Sequence, residues 1–252
     1  MLDFAIDTAR RAGVLLLSMF EGQRDVKLKS TFELVTDADH ASEALVIAAI
    51  NRQYPGHAVV AEESGGTAAE AGYTWLIDPL DGTNNYAHGL PIFSVSLALL
   101  RDGAPLVGVI YDPTRDELFA AERGGGARCN GRRIHVSENA TLAASLLATG
   151  FPYDYATNPD NNAREFTTLA GRVQGVRRLG SAALDLAYVA MGRFDAFWEL
   201  RLQPWDSPAG ALLVSEAGGR VTDWRGGDWN PWSNRLLASN GHIHDEMVQM
   251  LA

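Results

Sequence analysis

The sequence has very little cysteine and no long hydrophobic run. Cys129 is the only cysteine in 252 residues, so no disulfide can form within the chain. This usage is typical of proteins in a reducing compartment, and we expect a cytoplasmic protein. No apolar stretch approaches the about 20 residues that span a bilayer. The N-terminus carries Asp3 and Asp7 and no basic segment before an apolar core, so we expect neither a membrane span nor a signal peptide.

Basic residues are also in short supply. The 21 Lys and Arg residues are outnumbered by 31 Asp and Glu residues, which gives a formal net charge of −10. A chain this acidic has no overall attraction for nucleic acid or for an anionic membrane surface, so we expect neither as a partner. The histidines lack the spacing of a zinc site. Cys129 lacks the Cys-X5-Arg pattern of a cysteine phosphatase.

Helical and strand patterns are mixed along the whole chain. Hydrophobic residues make up 46% of the sequence and charged residues 21%, as in an ordinary globular protein. The pattern predicts an α/β (α+β layered) chain, and it changes near residue 138. We therefore predict an N-terminal half over residues 1–137 that carries most of the candidate metal ligands, and a C-terminal half over residues 138–252.

The segment of residues 75–85 carries the strongest chemical signal. It begins as a β-prone run and breaks at Asp78-Pro79. A second acid, Asp81, follows three residues after Asp78, and Gly82-Thr83 comes directly after it. Carboxylates bind hard cations through oxygen. A helix that begins near Thr83 would present free N–H groups to an anion. The segment therefore predicts a Mg²⁺ and phosphate site, and hence a Mg²⁺-dependent phosphatase, if the rest of the chain supplies further oxygen ligands.

Other acids also lie at the ends of predicted elements. Glu62 and Glu63 follow a predicted strand, whereas Asp39 and Asp206 lie at predicted helix starts. Each has a simpler interpretation as well. Helix dipoles favour acids at helix starts, Asp-Pro and Asp-Gly are common turn pairs, and Glu62-Glu63 alone suits a solvated loop. For each of these acids taken singly, a role as a metal ligand and a role as a helix cap or turn residue both remain possible interpretations.

Two Mg²⁺ ions bridged by carboxylates would meet the needs of phosphate-ester hydrolysis. The reaction requires neutralised charge on the phosphoryl oxygens, a nucleophilic water and help for the leaving oxygen. Mg²⁺ keeps several waters in its octahedral shell, and one of these can attack the phosphorus. This chemistry requires no covalent enzyme intermediate.

Two long motifs resemble the signatures of the inositol monophosphatase family. The pattern W-[IVL]-[IVL]-D-P-[IL]-D-G-T-x-N-[FY] matches residues 75–86, and W-D-x-x-A-G-x-x-[LIV]-x-x-E-A-G-G matches residues 205–219. Shorter matches lie at residues 34–39, 61–64 and 177–183. The resemblance covers nearly the whole chain. It implies a five-layered αβαβα sandwich of the inositol monophosphatase and fructose bisphosphatase type.

The resemblance implies two or three Mg²⁺ ions in each active site. The implied metal ligands are Glu62, Asp78, the Leu80 carbonyl, Asp81 and Asp206. The implied catalytic residues are Asp39, Glu62 and Thr83, with Asp39 and Thr83 orienting the nucleophilic water and Glu63 beside them.

The resemblance also implies a substrate side of the site. The matching residues are Asp81, Gly82, Thr83, Arg177, Gly180, Ser181, Ala182 and Glu199. Lys29 matches a basic residue on a flap near the metals. Arg201 stands where small residues are common in the family, and a cation there would favour a more anionic substrate.

The substrate implied by the resemblance is a small phosphorylated polyol or sugar-like molecule. Inositol monophosphate is the first expectation, and histidinol phosphate, fructose 1,6-bisphosphate and NADP are the alternatives. A homodimer and sensitivity to lithium are further family traits that we expect. A hypothesis of another class is a non-catalytic regulatory or scaffold protein on the same fold.

Overall fold

Helices and strands are mixed along the described part of the chain. A computed structural model describes residues 1–20, 22, 26–28 and 34–251. The helices are α1 (Leu2–Phe20), α2 (Asp37–Gln53), α3 (Thr83–Ala87), α4 (Ala163–Ala170), α5 (Ala182–Ala190), α6 (Pro208–Glu216) and α7 (His244–Leu251). Within these ranges, no helix combines the length and the apolar composition that crossing a membrane requires.

Among the described residues, the strands form one two-stranded antiparallel sheet and two large sheets. They are β1 (Val26–Leu28), β2 (Leu34–Thr36), β3 (Ala58–Ala61), β4 (Gly65–Gly66), β5 (Tyr73–Asp81), β6 (Ser94–Arg101), β7 (Ala104–Asp112), β8 (Glu117–Glu122), β9 (Gly126–Cys129), β10 (Arg132–Arg133), β11 (Leu146–Thr149), β12 (Gly175–Arg177), β13 (Ala196–Leu200), β14 (Arg220–Thr222) and β15 (Arg235–Ser239). The first sheet has the order β10-β9-β8-β7-β6-β5-β3-β4, the second has the order β12-β11-β13-β15-β14, and β1 pairs with β2.

The eight-stranded sheet is covered by helices on both faces. Successive side chains of a strand point to opposite faces. In β5, Trp75 and Ile77 pack in one core with α1 and α2. Leu76, between them, packs in a second core with α5 and α6. The buried strand is therefore apolar at every position from 75 to 77, as expected for a strand covered on both sides.

The five-stranded sheet repeats this arrangement. Phe197 and Ala238 pack with α5 and α6, whereas Trp198 and Leu237 pack in a third core with α4 and α7. The layers therefore follow the order α1/α2, eight-stranded sheet, α5/α6, five-stranded sheet, α4/α7. This order confirms the predicted five-layered αβαβα sandwich.

Two local predictions from the sequence are confirmed, a capping box at Thr36 and Asp39 and a hairpin turn at Asp102-Gly103. Thr36 is the N-cap of α2 and forms a capping box with Asp39, as the spacing predicts. Asp102 and Gly103 join β6 to β7 with φ angles of 51° and 79°, the left-handed conformation that a two-residue hairpin turn requires.

Three local predictions are wrong. β5 does not break at Asp78-Pro79 but continues to Asp81, because Pro79 lies in an irregularity of the ladder, where a proline is tolerated. α6 begins at Pro208 with Ser207 as its N-cap, so Asp206 precedes the helix and does not start it. The glycines at 124–126 and the Asn130-Gly131 pair predict a turn over residues 124–131, but residues 126–129 within it form strand β9.

The predicted boundary near residue 138 falls between the two large sheets. The first sheet ends with Arg133 of β10, and the second begins with Leu146 of β11. A single core cluster nevertheless joins Leu76 of the first sheet to Phe197 of the second. Because the halves share this core, the division into 1–137 and 138–252 stays a prediction.

Close packing of α6 on β7 predicts a strong effect at Gly108. A Cβ atom there would lie 2.7 Å from the Ala209 carbonyl oxygen and 2.9 Å from the Ala209 Cα. These are backbone atoms and cannot rotate away, so we predict that Gly108→Ala lowers the free energy of unfolding by about 1–3 kcal/mol. Urea-induced unfolding measures the change. The control is Gly56→Ala, where an added Cβ meets nothing within 4 Å. An equal loss in both variants would contradict this account.

Candidate active site

A cavity of about 730 Å³ lies where the ends of several strands meet the starts of α3, α5 and α6. Most of the predicted site residues line it, namely Glu62, Glu63, Asp78, Leu80, Asp81, Gly82, Thr83, Gly180, Ser181, Ala182, Glu199, Arg201 and Asp206. Asp39 and Arg177 are not among the lining residues. Lys29 lies outside the described residues.

A second cavity, of about 600 Å³, lies near Trp224 and Trp232. It contains none of the predicted site residues. Arg235 on its wall forms an ion pair with Asp160. The first cavity is therefore the candidate active site.

Hydrogen bonds hold the candidate metal ligands at the ends of elements. The Glu62 N–H donates to the Ile77 carbonyl oxygen at 3.1 Å, so that Glu62 lies beside the end of β5. Asp78 Oδ1 accepts from the Leu80 N–H at 3.1 Å. Asp206 Oδ2 accepts from the Gln203 N–H at 2.7 Å, which makes it a loop carboxylate and not a helix cap.

Asp81 joins the two halves of the chain. Its Oδ2 accepts from the Ser181 hydroxyl at 2.5 Å and from the Ala183 N–H at 2.8 Å, at the start of α5. A carboxylate is favoured there because a helix start carries partial positive charge. Each of these aspartates uses one oxygen in the bonds just described, which leaves the other oxygen for a further partner.

The acids raise one another's pKa. Burial is the largest cause of the raised pKa of Asp78, and the charges of Glu62, Asp81 and Asp206 add to it. Burial also raises the pKa of Asp206, again with contributions from Asp81 and Glu62. Burial raises the pKa of Asp81 to about 6, although the hydrogen bonds it accepts oppose the shift. So much negative charge in one cavity is stabilised by a cation.

The donor set suits Mg²⁺. Glu62, Asp78, Asp81 and Asp206 offer carboxylate oxygens and Leu80 offers a carbonyl, the hard ligands that Mg²⁺ prefers. Across the described ranges, no three His, Cys, Asp or Glu side chains are gathered tightly enough to hold a metal ion. Like charges repel, so carboxylates of this kind approach one another closely only around a cation.

Asp39 is both a helix-cap residue and a partner of a cavity residue, the two roles that the sequence left open. Its Oδ2 accepts from the Thr36 N–H at 2.8 Å, as part of the cap of α2. Its Oδ1 accepts from the Thr83 hydroxyl at 2.9 Å. Thr83 Oγ also lies 2.9 Å from the Leu80 carbonyl oxygen, and its one hydrogen can serve only one of these acceptors at a time. The helix cap is therefore linked directly to a residue of the cavity wall.

Gly82 provides the turn into α3. Its φ of 98° is the left-handed conformation, and a Cβ atom would lie 2.9 Å from the Ile92 carbonyl oxygen. Both facts require glycine at this position. No side chain caps α3. The first N–H groups of this helix can therefore bind an anion.

Arg178, and not the predicted Arg177, lines the cavity. Arg177 is the last residue of β12 and its side chain is exposed. Adjacent residues of an extended chain point to opposite sides, so only one of the two arginines can face the site. The motif contains both, and the position of the second arginine in the fold decides between them.

Arg201 faces the cavity in an unusual conformation. Its φ of 61° is left-handed, and its guanidinium donates to Asp154 on the opposite loop at 2.5 Å. Both residues of this ion pair line the cavity. Arg201 therefore contributes less free positive charge to the site than its sequence position predicted.

Comparison with known proteins agrees with the geometry. The model of the inositol monophosphatase family matches residues 1–252. The chain belongs to this family. Membership supports a phosphatase activity, and the fold and the two signatures predicted from sequence are those of the family.

The chain is similar to family members of known sequence and structure. It is 47% identical to the Nus factor SuhB of Pseudomonas aeruginosa over 250 residues, covering 96% of this chain and 90% of that protein. It is 45% identical to the inositol-1-monophosphatase of Synechocystis, covering 100% of this chain and 88% of that protein. An inositol monophosphatase structure from Anabaena (Nostoc) sp. PCC 7120 superimposes with a TM-score of 0.91 at 49% identity, covering 99% and 94% of the two chains.

Three functional candidates in this inositol monophosphatase fold escaped the sequence analysis. Glu43 Oε2, in the middle of α2, accepts from the Glu63 N–H at 2.8 Å and fixes the segment after β3. Gly150 and Asp185 line the cavity. Each lies inside a pattern that looked purely structural: a helix face for the two acids and a strand end for Gly150. Only their tertiary neighbours identify them.

The buried acids predict how the stability of the metal-free protein varies with pH. Burial raises the pKa of Glu199 to about 8 and that of Asp81 to about 6, so the folded state binds protons more tightly than the unfolded state. The free energy of unfolding should therefore rise as the pH falls from about 8 to about 6. Urea unfolding with a chelator at several pH values measures this slope. Glu199→Gln should flatten it, and stability that instead falls over this range would refute the prediction.

Proposed function

We propose that this chain catalyses the Mg²⁺-dependent hydrolysis of a small phosphate monoester, with inositol monophosphate as the preferred substrate and inositol and phosphate as products. The observation that carries the proposal is the cluster of Glu62, Asp78, Asp81 and Asp206 beside the uncapped start of α3. Negative ligands for a cation and N–H donors for a phosphate thus share one cavity.

The metal ligands would serve two principal ions, with a third as a further expectation. Glu62, Asp78 and the Leu80 carbonyl would hold the first Mg²⁺, and Asp78, Asp81 and Asp206 the second. Bound Mg²⁺ supplies charge neutralisation on the phosphoryl oxygens and favours deprotonation of water. The chain's own contribution is to fix these oxygens at the ends of β3 and β5 and in the loop before α6.

Asp39 and Thr83 would orient the attacking water. When the Thr83 hydroxyl donates to Asp39, its oxygen keeps lone pairs that can accept a hydrogen from water. Asp39 is itself held by Thr36, so the pair has a defined direction. The proton lost by the water can pass through Thr83 to Asp39. Glu62, on the neighbouring strand end, would assist from the metal side, with Glu63 beside it.

The phosphate and the organic group would bind to different parts of the wall. The N–H groups of Gly82 and Thr83 at the start of α3 would bind the phosphate. Glu199 and the turn at Gly180-Ser181-Ala182 would contact the hydroxyl-bearing part. The Ser181 hydroxyl is already bonded to Asp81, so its part in binding is to position that acid.

The ion pair of Arg201 supports a monophosphate over a more anionic substrate. Asp154 forms an ion pair with Arg201, the arginine whose position in the sequence favoured a more anionic substrate. Histidinol phosphate, which is also a monophosphate, remains an alternative. A panel of these esters, compared by kcat/KM in Mg²⁺, decides between them. Faster turnover of histidinol phosphate than of inositol monophosphate would replace our choice.

A second candidate function comes from the names of the relatives. The similar Pseudomonas protein is called a Nus factor, which supports a regulatory role that does not require catalysis. The two roles make different predictions for phosphate release. If the wild-type chain releases no phosphate from any ester of the panel in Mg²⁺, the regulatory role becomes the better proposal.

Three further traits belong to the same proposal. We propose a homodimer, a cytoplasmic location and inhibition by lithium. Sedimentation equilibrium tests the dimer, cell fractionation tests the location, and lithium titration of the phosphatase activity tests the inhibition.

Removal of one central charge tests the proposed mechanism. Asp78 is 3% exposed and stands among the other three acids. We predict that Asp78→Asn lowers kcat/KM for inositol monophosphate at least about a thousandfold, since it removes a ligand shared by both ions. It should also abolish the Mg²⁺-induced rise in melting temperature. The matched control is Asp37→Asn, an exposed acid in the first turn of α2. A kcat/KM close to that of the wild type in Asp78→Asn would contradict the proposal.

A further inference from the structure

Asp185 is a buried acid that the proposed mechanism does not use. It lies in α5, is 2% exposed and lines the cavity. Its Oδ1 is buried and has no hydrogen-bond partner in the described part of the chain. A buried polar atom without a partner is destabilising, and such atoms are rare in folded proteins. An unpartnered carboxyl at the wall of a binding cavity therefore points to a ligand.

Glu199 reaches the same cavity through a gap left by Gly150. A Cβ atom on Gly150 would lie 2.0 Å from Glu199 Oε1 and 2.3 Å from Oε2. The φ of Gly150 is not positive, so the backbone itself would accept alanine. The space for the carboxylate, and not the conformation of the chain, requires glycine here.

The pairing of two strands brings these residues together. β11 and β13 are parallel, with Thr149 opposite Trp198, so Gly150 and Glu199 follow side by side at the strand ends. Asn162 fastens this end of the sheet. Its Nδ2 donates to the Gly150 carbonyl oxygen at 2.7 Å, and its Oδ1 accepts from Trp198 Nε1 at 2.7 Å. Glu199 is therefore held on a rigid frame.

Asp185 and Glu199 also interact through their charges. Burial is the first cause of the raised pKa of Asp185, and the charge of Glu199 is the second. Both residues line the same cavity, so the two carboxyl groups belong to one binding site. A carboxyl group accepts hydrogen bonds in its ionised form and also donates one when protonated, so either form can bind a hydroxyl.

We propose that Asp185 and Glu199 form a two-acid site for neighbouring hydroxyl groups of the substrate, and that Gly150 provides the space for Glu199 to take part. This proposal rests on the proposed phosphatase function and concerns recognition of the organic group. Asp185 is then a substrate-binding residue, and Gly150 is a positioning residue that acts through Glu199. The ligand class is a phosphorylated polyol with adjacent free hydroxyls.

The test compares two substrates in Mg²⁺. Inositol 1-phosphate carries adjacent hydroxyls, and phenyl phosphate carries none. In both Asp185→Ala and Gly150→Ala, the ratio of kcat/KM for inositol 1-phosphate to kcat/KM for phenyl phosphate should fall about tenfold, the effect of losing one hydrogen bond of ordinary strength. Asp185→Asn keeps a polar group of the same size and should keep the ratio within about threefold of wild type.

Stability separates this role from a structural one. Asp185→Ala removes an unpartnered buried group, so its melting temperature should not fall. Gly171→Ala is the control for Gly150→Ala, because an added Cβ there meets nothing within 4 Å, and both activities should be unchanged.

Two results in Asp185→Ala would overturn the proposal. One is an unchanged ratio of the two kcat/KM values. The other is an equal loss of kcat/KM on both substrates together with a lower melting temperature. If the wild-type protein hydrolyses neither ester, the proposed function itself fails, and the two-acid site fails with it.

Discussion

The structure depends on holding several negative charges in one cavity. Glu62, Asp78, Asp81 and Asp206 come from three places in the chain, and the charges of Glu62, Asp81 and Asp206 add to the raised pKa of Asp78. Hydrogen bonds hold these residues in place against the repulsion of their charges. The backbone N–H of Glu62 donates to the Ile77 carbonyl oxygen, and the side chains of the three aspartates accept from backbone N–H groups. A cluster of this kind lowers the free energy of unfolding unless a cation binds. The fold is therefore locally destabilised at the place where it binds its ligands.

This arrangement also explains why the two sheets must pack as one body. Asp81 ends a strand of the first sheet and accepts hydrogen bonds at the start of α5, which lies between the sheets. Asn85 donates to the Leu179 carbonyl oxygen at 2.7 Å and fixes the loop before α5. The cavity therefore has one wall from each half of the chain. Its geometry depends on the shared core between them, and neither half contains the complete site.

Much of the fold and of the candidate site could be predicted from the sequence, because the interactions that determine these features are local in sequence. The capping box at Thr36 and Asp39 and the hairpin at Asp102-Gly103 depend on residues within three positions of each other. The acids of the first motif end a single buried strand, so their approximate location follows from that strand. Asp39 shows the limit of such reasoning. Its sequence position left a helix cap and a site residue as alternatives. In the structure one carboxylate oxygen belongs to the cap of α2 and the other accepts from Thr83.

The sequence by itself determined the layered α/β class, the strand-end acids and the glycine turn into α3, because each follows from periodicity or from the conformational needs of a few adjacent residues. Only the tertiary structure decided that Arg178 and not Arg177 faces the cavity, that Asp154 neutralises Arg201, and that Asp185 is left without a partner. Each of these depends on contacts between residues distant in sequence. The direction of a side chain and the charge of its neighbours are set by strand register and helix packing, which no local pattern contains.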